Sequence, residues 1–182
     1  MERELLAAMP RLASVSIAKK LPNGLGISFT KRTFFALFCT MAAPPENPSC
    51  GYMDRTGFLY DEAPDALGSL LLKIESNAPE IKIGAQALDP DTAAKLEQWG
   101  DALSADLGLR VVGYTLSSAE PDELRAETAD GFSLIIKKND DPVAVVKVLR
   151  TLLNEEIKAR RQKLDYIDLR FGNKVFFKFK ES

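Results

Sequence analysis

The sequence predicts an α+β fold: an antiparallel β-sheet with two main helices packed on it, preceded by a shorter αββ piece. Three observations carry that expectation. Asp89-Pro90 and Asp141-Pro142 each open a run of apolar residues at helical spacing. Asp130-Gly131 joins two alternating segments in the manner of a hairpin. The C-terminal stretch from Leu164 to Phe179 alternates apolar and polar residues on both sides of Gly172-Asn173, a turn signal.

Taken in order, Glu2 to Ala8 reads as the last turns of a helix that Pro10 ends. Val15 and Ile17, then Leu25, Ile27 and Phe29, alternate on either side of Pro22-Asn23-Gly24 and predict a first hairpin. Thr33 to Met41 is an apolar strand, Pro44-Pro45-Glu46-Asn47-Pro48 a loop, and Gly51-Tyr52-Met53 a returning strand before the Asp54-Arg55-Thr56-Gly57 turn. Leu70 to Ile74 and Glu80 to Ile83 are further strand candidates, while Asp61 to Ser69 gives no firm signal.

The first main helix places Leu96, Trp99, Leu103 and Leu107 on one stripe before Gly108, and Trp99 reads as core. The second carries Val146, Leu149, Leu153 and Ile157, with Lys158, Arg160, Arg161 and Lys163 where a helix C-terminus favours positive charge. Between them lie strands at Arg110 to Leu116, Glu123 to Thr128 and Phe132 to Lys138.

In the closing hairpin Ile167 and Leu169 share a face with Val175, Phe177 and Phe179, because a slip of one residue would turn one strand inside out. A three-residue loop, Phe171-Gly172-Asn173, satisfies this by pairing Leu169 with Val175 and Ile167 with Phe177. The outer face then carries Tyr166, Asp168 and Arg170 beside Lys174, Phe176 and Lys178: two aromatics among charges, suited to a partner.

Composition narrows the chemistry. The 182 residues are 46% hydrophobic and 27% charged, ordinary for folded protein of one large or two small domains. With 24 Lys and Arg against 26 Asp and Glu, the net charge of -2 argues against nucleic acid as a partner. Histidine is absent, which removes the usual near-neutral base, the Ser-His and Cys-His pairs and most zinc ligand sets. Cys39 and Cys50 cannot complete a four-ligand metal site and form no Cys-x-x-Cys motif, so no metal is expected. The longest apolar stretch, Thr33 to Pro45, is shorter than the roughly 20 residues of a membrane span, and the start lacks a secretion signal. Ser16-Ile17-Ala18-Lys19 fits a Ser-x-x-Lys pattern, but on a strand those two side chains point to opposite faces.

The string Ile167-Asp168-Leu169-Arg170-Phe171-Gly172-Asn173-Lys174-Val175 resembles the terminal Asp-Leu-Arg-aromatic turn and closing strand of the bacterial cell-division family FtsQ, called DivIB in some bacteria. Leu107-Gly108-Leu109-Arg110-Val111-Val112, Asp130-Gly131-Phe132-Ser133-Leu134 and Tyr52-Met53-Asp54-Arg55-Thr56-Gly57-Phe58-Leu59-Tyr60 resemble the same family in the same order. Val15 to Ile27 is similar to the second hairpin of its POTRA domain. The resemblance implies the C-terminal half of a POTRA-like domain over residues 1–32 and a β domain over residues 33–182. A POTRA first half and a single-pass membrane anchor are expected upstream, with the chain on the extracytoplasmic face of the cytoplasmic membrane at the division septum. Lys31-Arg32-Thr33-Phe34 departs from the family's Glu-Arg and nearby proline.

By that resemblance the chain is a non-catalytic divisome scaffold that binds the FtsB/FtsL (DivIC) pair by strand addition and helps control septal wall synthesis, with no cofactor and no small-molecule substrate expected. The partner-binding residues carried over are Arg170, Phe171 and the strand Lys174, Val175, Phe176, Phe177, Lys178 and Phe179, with Tyr166 on the adjoining face. An exported location further implies a disulfide between Cys39 and Cys50. Two alternatives remain open: a POTRA-like module for outer-membrane assembly or secretion, and a Ser-Lys cell-wall enzyme. Lysines along a terminal strand also serve simply to keep an edge from aggregating.

Overall fold

Both main helices begin where an aspartate caps a proline-started turn. The computed structural model describes residues 1–41, 50–64, 70–77, 80–117, 119–172 and 174–181; the 44–48 loop and Asn173 of the closing turn lie outside them. Asp89 accepts from the Thr92 N–H at 2.9 Å, Pro90 occupies the first turn, and α2 runs over Pro90–Leu107 until Gly108 turns left-handed at φ 62°. Asp141 accepts from the Val143 N–H at 3.0 Å to start α3, Pro142–Leu152. A short α1, Glu2–Ala8, precedes both.

The strands are β1 (Leu12–Lys20), β2 (Gly24–Lys31), β3 (Ala36–Thr40), β4 (Cys50–Met53), β5 (Leu59–Ala63) and β6 (Lys73–Ser76). After α2 come β7 (Val111–Leu116), β8 (Glu123–Thr128) and β9 (Ser133–Lys137), and after α3 β10 (Leu164–Phe171) and β11 (Lys174–Phe179). Among the described residues β1 and β2 form their own two-stranded sheet, and the other nine form one sheet in the order β11-β10-β9-β8-β7-β6-β3-β4-β5.

The fold is α+β, but the sheet is mixed where an antiparallel one was expected. Five of its neighbour pairs are antiparallel, and β3 with β6, β6 with β7, and β9 with β10 are parallel. Two of the parallel pairs follow from the helices: α2 lies between β6 and β7, and α3 between β9 and β10, so each crossover returns the chain in its original direction. The Glu80 to Ile83 strand does not form; that segment leads into a turn at Gly84 whose neighbour Ala85 bonds the edge of β5.

One apolar core joins both helices to one sheet face. Leu96, Trp99 and Leu103 of α2 and Val146 and Leu149 of α3 are buried with Phe38, Ile74, Tyr114, Leu134 and Ile167. The Tyr114 hydroxyl donates to the Leu96 carbonyl at 2.8 Å, which gives the buried phenol its partner, and burial pushes its pKa upward. Past Leu152 the helix widens into one π-type turn, Leu153–Ile157, then tightens over Lys158–Lys163, where a regular helix was expected. The wider turn keeps Leu153 and Ile157 buried while the chain swings toward β10. Arg160 and Arg161 do more than face solvent there: Arg160 lies 4.7 Å over the Phe179 ring and Arg161 pairs with Asp130 at 2.6 Å.

Arg32 fastens the small sheet to the large one. Its guanidinium donates to Asp54 at 2.6 Å and to the Pro10 carbonyl at 3.1 Å, and sits 3.8 Å over the Phe58 ring. Burial alone would raise the Asp54 carboxyl, but the Thr56 hydroxyl, Arg32 and the Phe58 and Thr56 N–H groups outweigh it and hold the pKa below the usual carboxylate value. The unfolded chain therefore takes up a proton first on acidification. Asp54 contributes its full stabilisation above about pH 4 and loses it as pH falls toward its lowered folded value; Asp168 and Asp89, also lowered, act in the same sense. Arg32→Ala is expected to cost about 2 kcal/mol in urea unfolding at pH 7, because it strips the cation from a carboxylate that stays buried. The deficit should shrink in the same titration near pH 3; a deficit unchanged by pH would reject the ion-pair account.

Candidate functional site

The nine-stranded sheet ends on β11, whose sequence alternates as a half-buried strand must. Val175, Phe177 and Phe179 pack against the core from the inner face, and Phe177 and Phe179 meet edge-on at 5.6 Å. Lys174, Phe176 and Lys178 point outward. Tyr166 of β10 stands opposite Lys178, Asp168 opposite Phe176, and Ile167 opposite Phe177 as the alternation required.

The turn corrects the expected loop. Phe171 pairs with Lys174, so it belongs to β10, and the odd residue is taken up as an irregularity between Asp168 and Phe171. Leu169 consequently has no direct Val175 partner. The bulged backbone is held by the Asp168 carboxylate, which accepts from the Arg170 N–H at 3.1 Å, and Gly172 supplies the left-handed turn at φ 64°.

Backbone direction on β11 follows from one bond. The Lys180 N–H donates inward to the Lys163 carbonyl at 2.8 Å, and N–H groups on a strand alternate between its two edges. Lys178, Phe176 and Lys174 thus direct their N–H groups toward β10. Val175, Phe177 and Phe179 direct theirs to the outer edge, where no strand pairs among the described residues. The site residues therefore divide in two: Val175, Phe177 and Phe179 offer backbone with side chains turned inward, while Lys174, Phe176 and Lys178 offer side chains.

Beside that edge Phe171 and Phe176, each 53% exposed, meet edge-on at 5.3 Å and form an apolar knob. Arg170 stands next to it, 5.5 Å from the Phe171 ring, but its charge is already engaged. Its guanidinium donates to both Asp168 oxygens, at 3.0 and 2.7 Å, and to Glu123 across β9. Burial would raise the Asp168 carboxyl, yet the bonds from Arg170 hold it low. Arg170 is thus a fixed donor that shapes the knob's flank, not a mobile surface cation.

Sequence reading had no signal for Glu123, nor for Glu120, Asp122 and Lys137, which with Arg170 and Phe171 line a cleft of about 320 Å³. They lie far from Arg170 in the chain, and only the β8-β9-β10 order brings them there. Within β8 and β9 a second polar group, Arg125, Glu127 and Ser133, continues the ladder on the helix-free face.

The two cysteines sit at the far side of the sheet. Cys39 and Cys50 are directly opposite on β3 and β4 and joined by a disulfide, Cα atoms 4.2 Å apart. With Leu37 they form a small buried cluster on the face that the main core does not use. Ser16 and Lys19 both lie on β1, three positions apart and so on opposite faces of the hairpin. Among the described residues no helix is long and apolar enough to cross a membrane, and no group of acidic or cysteine side chains is arranged to hold a metal ion. No protein-family model matches the chain, and no curated protein matches it in sequence.

Proposed function

We propose that this chain is a non-catalytic scaffold of the FtsQ/DivIB type, which binds an FtsB/FtsL (DivIC)-like pair by strand addition at β11 and so helps govern septal wall synthesis. The single observation that supports this reading is the outer edge of β11: three outward N–H donors in register beside an exposed Phe171–Phe176 knob. An added strand would satisfy those donors through its carbonyls, and its outward side chains would meet Phe176 between Lys174 and Lys178. Apolar residues flanked by acids suit that face. The lysines do double duty, since they also discourage pairing with strands that lack such acids.

The test is calorimetric titration of the chain with extracytoplasmic FtsB/FtsL segments from the same genome. Wild type is expected to bind, and Val175→Pro, which deletes one outward donor without touching a β10 bond, is expected to weaken binding at least about 100-fold with the fold retained. Equal affinity in a folded Val175→Pro variant would sink strand addition at this edge.

A second reading, an envelope module that binds through its hairpin, is favoured by one observation. Leu25, Ile27 and Phe29 all remain more than half exposed on the apolar face of β1 and β2. Loss of partner binding in Ile27→Asp, with Val175→Pro unaffected, would decide for it.

A further inference from the structure

The opposite edge of the large sheet carries a groove unlike anything at β11. Two clefts, of about 540 and 370 Å³, adjoin there and share Arg11, Lys31, Tyr60 and Asp61 in their walls. The first is apolar, faced by Met9, Pro10, Leu12 and Ile83. The second is aromatic: Phe34 meets Tyr52 edge-on at 5.8 Å, and Tyr52 stacks with Tyr60 at 6.2 Å. Phe34 and Met9 keep 36% and 53% of their surface accessible, so these walls are not simply core.

Two further features say what the groove accommodates. The first is backbone. Leu59 at the start of β5 donates to the Ala85 carbonyl at 2.9 Å and accepts from the Gly84 N–H at 2.8 Å, as an added strand would do. Beyond Leu59 the outer edge of β5 has no pairing strand among the described residues. The second is charge. Arg11 is held by Asp61 at 2.5 Å and Arg32 by Asp54 at 2.6 Å, whereas Lys31 faces the groove with no carboxylate partner among the described residues. Three cations stand against two carboxylates, and the unmatched one lies on the rim.

We propose that this groove is a second peptide site, which takes an extended acidic segment of a partner protein. The segment's backbone continues along β5 where the Gly84-Ala85 chain leaves it. An apolar side chain enters the cleft between Pro10 and Ile83, and a carboxylate meets Lys31. Tyr60 stands between the two clefts and is the side chain that both halves of the segment contact. The site is independent of β11, so one chain holds two strands, one at each end of the same sheet.

The probe is a fluorescein-tagged acetyl-Thr-Glu-Val-Leu-Glu-Thr-amide, read by anisotropy against the full chain carrying Val175→Pro, which closes the β11 edge to it, with a counterpart carrying Lys for Glu. The acidic peptide is expected to saturate with a Kd of about 100 μM or tighter, and the basic one to bind at least about tenfold more weakly. Lys31→Glu and Tyr60→Ser, each added to that Val175→Pro chain, are expected to weaken the acidic peptide about tenfold. Lys31 is exposed, and far-UV circular dichroism of that variant keeps the result independent of folding. Absence of saturable binding, equal affinity for the two peptides, or an unaltered Kd in Lys31→Glu would overturn the proposal. Full displacement by inorganic polyphosphate from a chain that binds both peptides alike would mark a plain anion site and overturn it too.

Discussion

Trp99→Ala is expected to destabilise the chain by about 3–5 kcal/mol, the largest effect of any single truncation considered. Trp99 is 1% exposed in the middle of α2, and its indole N–H donates to the Lys138 carbonyl at 3.2 Å. The substitution leaves a cavity between α2 and the sheet and also strips a carbonyl just past β9 of its donor. Backbone elements on both sides are tied to other partners, Tyr114 to Leu96 and Asp89 to Thr92, so collapse into the space is limited. Urea unfolding at pH 7 should show a lowered midpoint with an unchanged slope. Trp99→Phe should recover most of the loss by refilling the space without restoring the bond. A loss below about 1 kcal/mol for the alanine variant would mean that the helix does not seat on the sheet as described.

Removing the Cys39–Cys50 link ranks second, at about 3 kcal/mol by the loop-closure estimate for residues 11 apart. The link closes the β3–β4 connection, and β3 sits inside the sheet between β4 and β6. Freeing the connection enlarges the unfolded ensemble while the native strands keep their ladder, so the effect belongs mainly to the unfolded state. Cys39→Ala combined with Cys50→Ala should lower the urea midpoint, and dithiothreitol should lower wild type comparably while leaving the double variant unchanged. Wild-type stability indifferent to dithiothreitol under conditions that reduce the bond would contradict this account.

Local chemistry made much of the architecture legible before any coordinates. An aspartate that caps, a proline that cannot donate and a glycine that turns left-handed act within four residues, so α2 and α3 start where Asp89 and Asp141 announce them. The turn at Asp130-Gly131 and the alternation through Ile167 and Phe177 are equally local. Bulges are not: the irregularity before Phe171 costs one residue of offset that a longer loop would have absorbed as well, and alternation alone does not separate the two. Glu80 to Ile83 shows the converse, an apolar pattern without a ladder to join.

At the candidate site, the faces of β11 were determined by the sequence itself, because a period of two assigns Phe176 outward and Phe177 inward wherever the strand is placed. That β11 lies at the sheet's edge, that Glu123 reaches Arg170 across β9, and that Tyr60 meets Arg11 at the opposite edge were decided only by the tertiary structure. Strand order depends on crossovers through α2 and α3 and on burial of one shared apolar face, a balance summed over the whole chain that no short window of residues contains.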